Sequence, residues 1–493
     1  MNNLTFKRSK YFKTSYENNR NISNIKKMKK AAIILIIISV IVPITGTYAQ
    51  KTITLEDAIN TALENNPAIK INKTFEKEAD AKLVQARSTF LPRLDFLGKY
   101  FYANNLPGFY PLLGSDVPVM NNGAPTDDYI TLHPMAPYPN KNRDVFTNDL
   151  NLIYPIYTGG KRINAEKSLS VLKEAYQKDT KETEASIVYK VNLAFYNNIF
   201  IKQVIDVYDD VLIQLEKHHE LAKKAYKEGV RSEFDIVTFE SKIQDFKTKI
   251  VEMKGNKAIA ETALKNLMNI PSDEKIECSG NLELNDSLQE INFAEIEKRV
   301  DEGNYKMQSL LLKEQVLNHK KDIIEAGKMP TVFTFGNFHV YHGMDFPPFD
   351  KTWRSGYAVG VGVKMNIFDG NLTKGKSMEI QAGIDKIKEY QNGLSLQLRF
   401  EVSKALETLR SLEAQKISTI SNIKVSQKAF QIAQIGYENG VNTSIELNDA
   451  QLNVLKVKIQ LLKIEKEIKT TKAMLEYLKG SNLEQANNQQ LNK

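Results

Sequence analysis

The chain has 493 residues, 42% of them hydrophobic and 26% charged, with 24 Gly and 15 Pro. This is a globular composition that excludes a disordered or collagen-like chain. The formal charge of +8 arises entirely in residues 1–49, where nine Lys and Arg face Glu17; residues 50–493 balance 58 basic against 58 acidic side chains. A body without net charge has no general electrostatic reason to bind nucleic acid, and the single cysteine, Cys278, excludes an internal disulfide and a cysteine-based zinc site.

Residues 1–49 read as a leader. Ala31–Val42 is apolar apart from Ser39, follows Lys26, Lys27, Lys29 and Lys30, and is broken by Pro43 and Gly46 before Thr47-Tyr48-Ala49. A basic flank, a short apolar core and a small-residue exit predict a secretory signal peptide cut before Gln50; the competing reading is a retained anchor. Met28 opens a more ordinary leader, so residues 1–27 read as an upstream extension. No later apolar run approaches the length of a spanning helix, so a mature chain that crosses a membrane must use β-strands.

The next elements alternate between two periods. Leu94–Tyr102 and Val332–Tyr341 are aromatic-rich strand segments. Phe146–Ile156 and Tyr357–Ile367 set an apolar face against a small or polar one, as transmembrane barrel strands do, although a half-buried strand of a soluble sheet gives the same alternation. Residues 103–144 carry seven prolines among Asn, Asp and Gly and read as a long exposed loop; the second loop, about 342–355, is shorter. After each pair of strands the period becomes helical. Ile187, Val191, Ala194, Ile201, Ile205, Tyr208, Leu212 and Leu215 form one stripe; Ile380, Ile384, Ile387, Leu394, Leu398, Val402, Leu406, Leu409 and Leu412 form the other. The helices run from about Lys161 to Glu228 and Leu372 to Asn439, or about 100 Å each at about 1.5 Å per residue, which implies a coiled-coil rod or a tube.

The chain also repeats itself. Ile153–Gly160 aligns with Lys364–Asn371, and Tyr226–Val230 with Tyr437–Val441, both at an offset of 211; Asn66–Pro92 aligns with Asn304–Pro330 at 238. Collinear blocks predict a duplication: a first repeat over 50–270, a linker over 271–303, a second repeat over 304–480 and a polar tail over 481–493. Four strands cannot close a barrel, which takes about eight, and lipid tolerates no open edge, so membrane strands here require several chains sharing one barrel.

These parts together resemble the TolC family of outer-membrane efflux and secretion ducts. The resemblance rests on Thr54–Ile59 with Ala62–Pro67, on Ala86–Leu94, and on the Tyr-x-x-Gly turns at Tyr226 and Tyr437; it covers about residues 52–480. It implies a mainly helical chain with a β-barrel portion, assembled as a homotrimer. Four strands per chain would build a twelve-stranded barrel in outer-membrane lipid, continued across the periplasm by an antiparallel coiled-coil tunnel. The implied partners are a periplasmic membrane-fusion adaptor and an inner-membrane pump of resistance-nodulation-division or ABC type, in efflux or type I secretion. A secreted or surface-attached helical rod with a structural or adhesive role would account for the helices but not for the strands.

At the turns, Gly229 and Gly440 suit helix ends, and Ser232 and Thr443 suit caps for the helices that follow. On the residues alone these are tight turns between antiparallel helices. The resemblance adds that Tyr226, Gly229, Val230, Ser232, Tyr437, Gly440, Val441 and Thr443 form tips that meet the adaptor, that Asp235 makes an inter-helix contact, and that Glu446 and Asp449 line the constriction. The alternative for the last two is a solvated helix face. Asn442 departs from the family, whose ducts carry a basic residue there as part of a closing lock. Gly360-x-Gly362 lies in a strand pattern, not a nucleotide loop. His218 and His219 are adjacent and cannot share a metal, and His339 and His342 flank a loop. No cofactor, metal site or enzymatic arrangement is expected.

Overall fold

The computed structural model describes residues 51–104, 116–121, 124–131, 143–283, 300–343 and 353–480. The expected leader, the tail 481–493 and part of each strand-to-strand loop lie outside the described residues. No described helix is long and apolar enough to cross a membrane.

After β1 (Lys51–Ile53), the N-terminal helix is split by sequence: α1 (Leu55–Asn65) opens with a capping box between Thr54 and Asp57, and α2 (Pro67–Ser88) restarts on Pro67 behind the Asn66 cap. The chain then builds β2 (Arg93–Ala103), β3 (Asp116–Asn121), β4 (Ala124–Thr131), β5 (Arg143–Tyr157), α3 (Lys161–Lys227), α4 (Glu233–Met268) and β6 (Ile276–Cys278). The second half follows with α5 (Tyr305–Glu325), β7 (Thr331–His342), β8 (Arg354–Lys364), α6 (Leu372–Glu438) and α7 (Ser444–Lys479). Both long helices have 67 residues and both shorter partners 36, and each pair is displaced by the offset of 211 read from the sequence. β1 and β6 pair in a two-stranded sheet; Ile53 and Asp273–Glu277 belong to a small compact unit of their own.

Two expectations need correction. The segment 103–144 is not loop throughout: β3 and β4 form an antiparallel ribbon with Val117 opposite Ile130. Its prolines, Pro118 and Pro125, are compatible because a two-stranded ribbon consists of edges, where a missing N–H need not break a ladder. The alternation expected to run to Ile367 ends at Lys364, and Met365 and Ile367 follow outside the strand.

The main sheet is antiparallel in the order β2-β5-β7-β8, so the two repeats meet at β5–β7. Its register puts Leu94, Phe96, Tyr100, Leu150, Leu152, Tyr357, Val359 and Val361 on one face and Asp95, Lys99, Asp149, Asn151, Asn337 and His339 on the other. The apolar face is open, with Phe96 70% and Tyr357 79% exposed. On the polar face Asn337 donates to Asn151, and glycines of β8 make room for rings of β7: a Cβ on Gly360 would lie 2.9 Å from the Phe335 ring.

The helices form a layer that changes partners along its length. In the half nearer the main sheet α3 lies between α2 and α5, with α6 beyond α5; in the distal half it lies between α4 and α7, with α6 beyond α7. Ion pairs fix the first half, Lys313 with Asp179 at 2.8 Å and Lys173 with Asp80 at 2.7 Å. The distal core is apolar: Val211, Leu215, Phe239, Ile243, Phe246, Tyr437, Leu447 and Leu455.

The change of partners is held by matching junctions. Buried Asn66 caps α2 through Ala68 N–H and donates 2.9 Å to the Leu267 carbonyl near the end of α4. Buried Asn304 caps α5 through Lys306 and Met307 N–H and donates 3.1 Å to the Leu478 carbonyl near the end of α7. Each Asn thus satisfies a helix start and a helix end with one side chain. The equivalent left-handed residues closing α4 and α7 are Asn269, φ 51°, and Gly480, φ 73°.

Candidate functional site at the helix tips

The turns α3–α4 and α6–α7 lie side by side. In the first, Gly229 takes φ 73° and Val230 N–H returns 2.9 Å to the Ala225 carbonyl; in the second, Gly440 takes φ 81° and Val441 N–H returns 2.8 Å to Gly436. Both are Schellman ends, which the glycines allow because they carry no Cβ. The following helices start differently. Thr443 and Glu446 form a capping box, with Thr443 N–H donating 2.8 Å to the Glu446 carboxylate. Ser232 stands at the cap position but makes no side-chain cap bond, contrary to the expectation from its residue type.

The pseudo-repeat is broken in side-chain roles. Tyr226 is exposed and its equivalent Tyr437 is buried; Asp235 is buried and its equivalent Glu446 is exposed. Arg231 and Asn442 are equivalent too, and Arg231 supplies the contact that the sequence did not reveal. Its guanidinium donates to the Tyr437 carbonyl and, at 3.3 Å, to the Asn442 carbonyl, and it lies 4.3 Å from the centre of the Tyr437 ring. Arg231 of the first turn thus ties down the backbone of the second, where the equivalent residue, Asn442, carries no charge. The available signal was the alignment of Arg231 with Asn442 at an offset of 211. Burial raises the Tyr437 phenol above its ordinary value, Asp235 adds to the rise, and Arg231 opposes it.

Glu446 and Asp449 are both exposed on the first turns of α7, one helical step apart. Glu446 is tied into its cap, whereas Asp449 carries no such bond. Around them the tips present Val230, Phe234, Val237, Val441 and Ile445, all more than half exposed. His218 and His219 separate: His218 is buried, with its ring 5.9 Å from Phe239 and 6.5 Å from Phe430. His339 stacks on Tyr341 and His342 on Trp353.

Burial holds the His218 imidazole below the ordinary 6.5, opposed by Glu438. The unfolded chain therefore takes up the proton first as pH falls, so stability is full above about 6.5 and declines below it. The thermal midpoint of the wild type is expected to fall between about pH 7.5 and about pH 5.5 by more than that of His218→Gln. Parallel declines in a calorimetric series would remove His218 as the cause.

A family model described as outer membrane efflux protein matches residues 58–269 and 315–481, one stretch in each repeat. The chain belongs to that family. It is therefore an efflux protein of the outer membrane. The fold agrees with solved channels. The outer membrane protein VceC of Vibrio cholerae superposes with a TM-score of 0.68 at 15% identity, over 86% of this chain and 96% of that one. The Campylobacter jejuni outer membrane channel CmeC gives 0.70 at 16% identity, over 88% of each chain. The open state of the Neisseria gonorrhoeae channel MtrE gives 0.69 at 15%, over 87% of this chain and 89% of that one. A search of curated protein sequences finds no match.

Proposed function

We propose that three copies of this chain form one duct, a twelve-stranded barrel in the outer membrane continued by a periplasmic helical tunnel. The duct receives substrate from an inner-membrane pump through an adaptor docked at the tips. The observation that carries this reading is the four-stranded sheet with β2 and β8 as edges and one open apolar face. In lipid those edges must pair, and among the described residues of one chain no further strand pairs with them. Apolar surface along the helices supports the same closure: Leu396, Phe400, Ile417 and Val425 of α6, and Val251 and Ile259 of α4, are 63–73% exposed. The exposed apolar residues of the tips suit an adaptor, and the rod alternative leaves the amphipathic sheet unexplained. The detergent-solubilised protein is expected to be a heat-modifiable trimer that conducts in planar bilayers. A monomer or dimer that still inserts and conducts would overturn the closure argument.

Within such a trimer Glu446 and Asp449 would form rings of carboxylates at the narrow end. Like charges brought together repel unless cations offset them, so the open duct should favour cations. Glu446→Gln with Asp449→Asn is expected to lower the cation-to-anion permeability ratio several-fold and to weaken block by trivalent cations. Asp449→Asn alone should account for most of the change, since Glu446 is tied into its cap. Unchanged reversal potentials in both variants would make these residues a solvated face.

A further inference from the structure

A mostly apolar groove of about 650 Å³ follows the last turns of α4, where Ala258, Ile259, Thr262, Ala263, Lys265 and Ile270 line it. Two of its polar side chains are already bonded within the chain: Thr262 Oγ1 donates 2.8 Å to the Ala258 carbonyl and Lys265 Nζ 3.0 Å to the Ser272 carbonyl. A polar small molecule would find few partners there, whereas Ile259 is left 70% exposed. The groove also turns away from its own helical layer. Ala260 packs against Ile201 and Ile205 of α3, and residues 258 and 262 each lie two positions, about 200°, round the helix from it.

Residues 284–299 lie outside the described residues, and their sequence suits such a groove: Leu284, Leu288, Ile291, Phe293 and Ile296 fall within 16 positions. The chain on either side of them is held by α6 and α7. Before them, the Asn281 carbonyl accepts 3.1 Å from Lys469 of α7, whose ammonium lies 5.3 Å from the centre of the Tyr196 ring. After them, Val300 packs with Leu398 and Val402 of α6, and Asp301 pairs with Arg399 of α6 at 2.7 Å. The first anchor stands level with the groove, because Tyr196 is two residues from Asn198, which donates 3.0 Å to the Ala260 carbonyl. Segment and groove thus share a height along the helices but belong to opposite edges of the layer. Sixteen residues reach at most about 55 Å when extended, so the segment has slack beyond its anchors.

We propose that residues 284–299 of each copy dock in the α4 groove of the next copy, so that each chain holds its neighbour at this height. The proposal rests on the ring of three put forward above. Cyclic symmetry joins unlike edges, so α6 of one copy faces α4 of the next. The neighbour's groove is then one helix-to-helix step, about 8–10 Å, from the Arg399 anchor, against three steps across α7 and α3 within the same chain. Docking removes Ile259 and the apolar side chains of the segment from water together.

Cross-linking of the assembled full-length protein, on a Cys278→Ala background, tests this. Chains with Ile259→Cys are co-expressed with differently tagged chains carrying Leu288→Cys or Ile291→Cys, and a short bis-maleimide is added. The expected product is a covalent dimer with one chain of each kind, at least tenfold above that from either variant alone. With both substitutions in one copy, a link confined to that copy would put the segment in its own groove and overturn the proposal. Linking of Ile259→Cys to Ile417→Cys of α6, with none to the segment, would mean that the neighbouring helix fills the groove, and would overturn it too. No link in protein that still runs as a trimer overturns the docking and leaves the duct standing; protein that never forms a trimer overturns both. In trimers, Ile259→Asp is expected to speed amide exchange over residues 284–299 at least tenfold and to leave residues 305–325 unchanged. Equal rates over 284–299 in variant and wild type would overturn the docking as well.

Discussion

Gly480→Val is expected to abolish assembly of the folded protein, where Asn269→Gly at the equivalent place in the first repeat is expected to do almost nothing. Gly480 closes α7 at φ 73°, and a Cβ there would lie 2.3 Å from the Gly303 carbonyl oxygen. The left-handed conformation alone costs an ordinary residue about 1–2 kcal/mol, more for a β-branched one, and the clash is with backbone that cannot swing away. Gly303 meets the same obstacle from the other side, with a Cβ only 2.5 Å from the Lys479 carbonyl. The backbones on both sides of the Asn304–Leu478 hydrogen bond therefore touch. A shift large enough to admit valine would break that bond and the α5 cap with it, a combined loss of about 4 kcal/mol or more. Asn269 already holds its left-handed turn with a side chain, donating 3.3 Å to the Asn65 carbonyl, so glycine there loses one surface bond. Gly480→Asn separates the two causes: asparagine tolerates the backbone angle but not the contact, so it should still be strongly destabilised. Denaturation and the yield of assembled protein measure all three variants. A stable Gly480→Val protein would mean that the close approach is not needed.

Much of this architecture was legible because periodicity reports burial. The 3.6-residue stripes located both long helices to within a residue of Lys227 and Glu438, and the period-2 segments located the sheet. The strands of the main sheet could be read as amphipathic since one of its faces is open and apolar. The β3–β4 ribbon was not legible, because its prolines and short alternation look the same as loop when no core face selects a pattern. At the tips the glycines and the Thr443 cap followed from residue type. The division of labour between repeats did not. Nothing local distinguishes Tyr226 from Tyr437, or Asp235 from Glu446; their different burial is decided by which helix lies alongside. Asn448 illustrates the same limit: a polar residue next to Asp449 near a helix start reads as surface, yet it faces the core.

Arg231→Ala is expected to open the tip. Arg231 holds the second turn at two backbone carbonyls and stacks on the buried Tyr437 ring, which itself packs edge-on to Phe239 at 5.7 Å. It acts on main-chain oxygens at a helix C-terminus, where a cation also meets the negative end of the helix dipole. Hydrogen bonds from a charged donor contribute about 1.5–3 kcal/mol and the ring contact adds about 0.5–1 kcal/mol. With the tip as the gate proposed above, removing about 2 kcal/mol from its closed state would raise the open population roughly thirtyfold while that remains the minor state. In planar bilayers the openings of Arg231→Ala should become at least tenfold more frequent, with single-channel conductance and thermal stability near those of the wild type. Arg231→Lys keeps the charge but loses the planar fork that reaches both carbonyls, so it should fall between the two. This ordering distinguishes a clamp from simple electrostatics: if charge alone kept the tip closed, lysine would equal arginine. If alanine left the openings unchanged, the contact between the two turns would be a packing detail of each chain, and the closing force would have to come from between the chains.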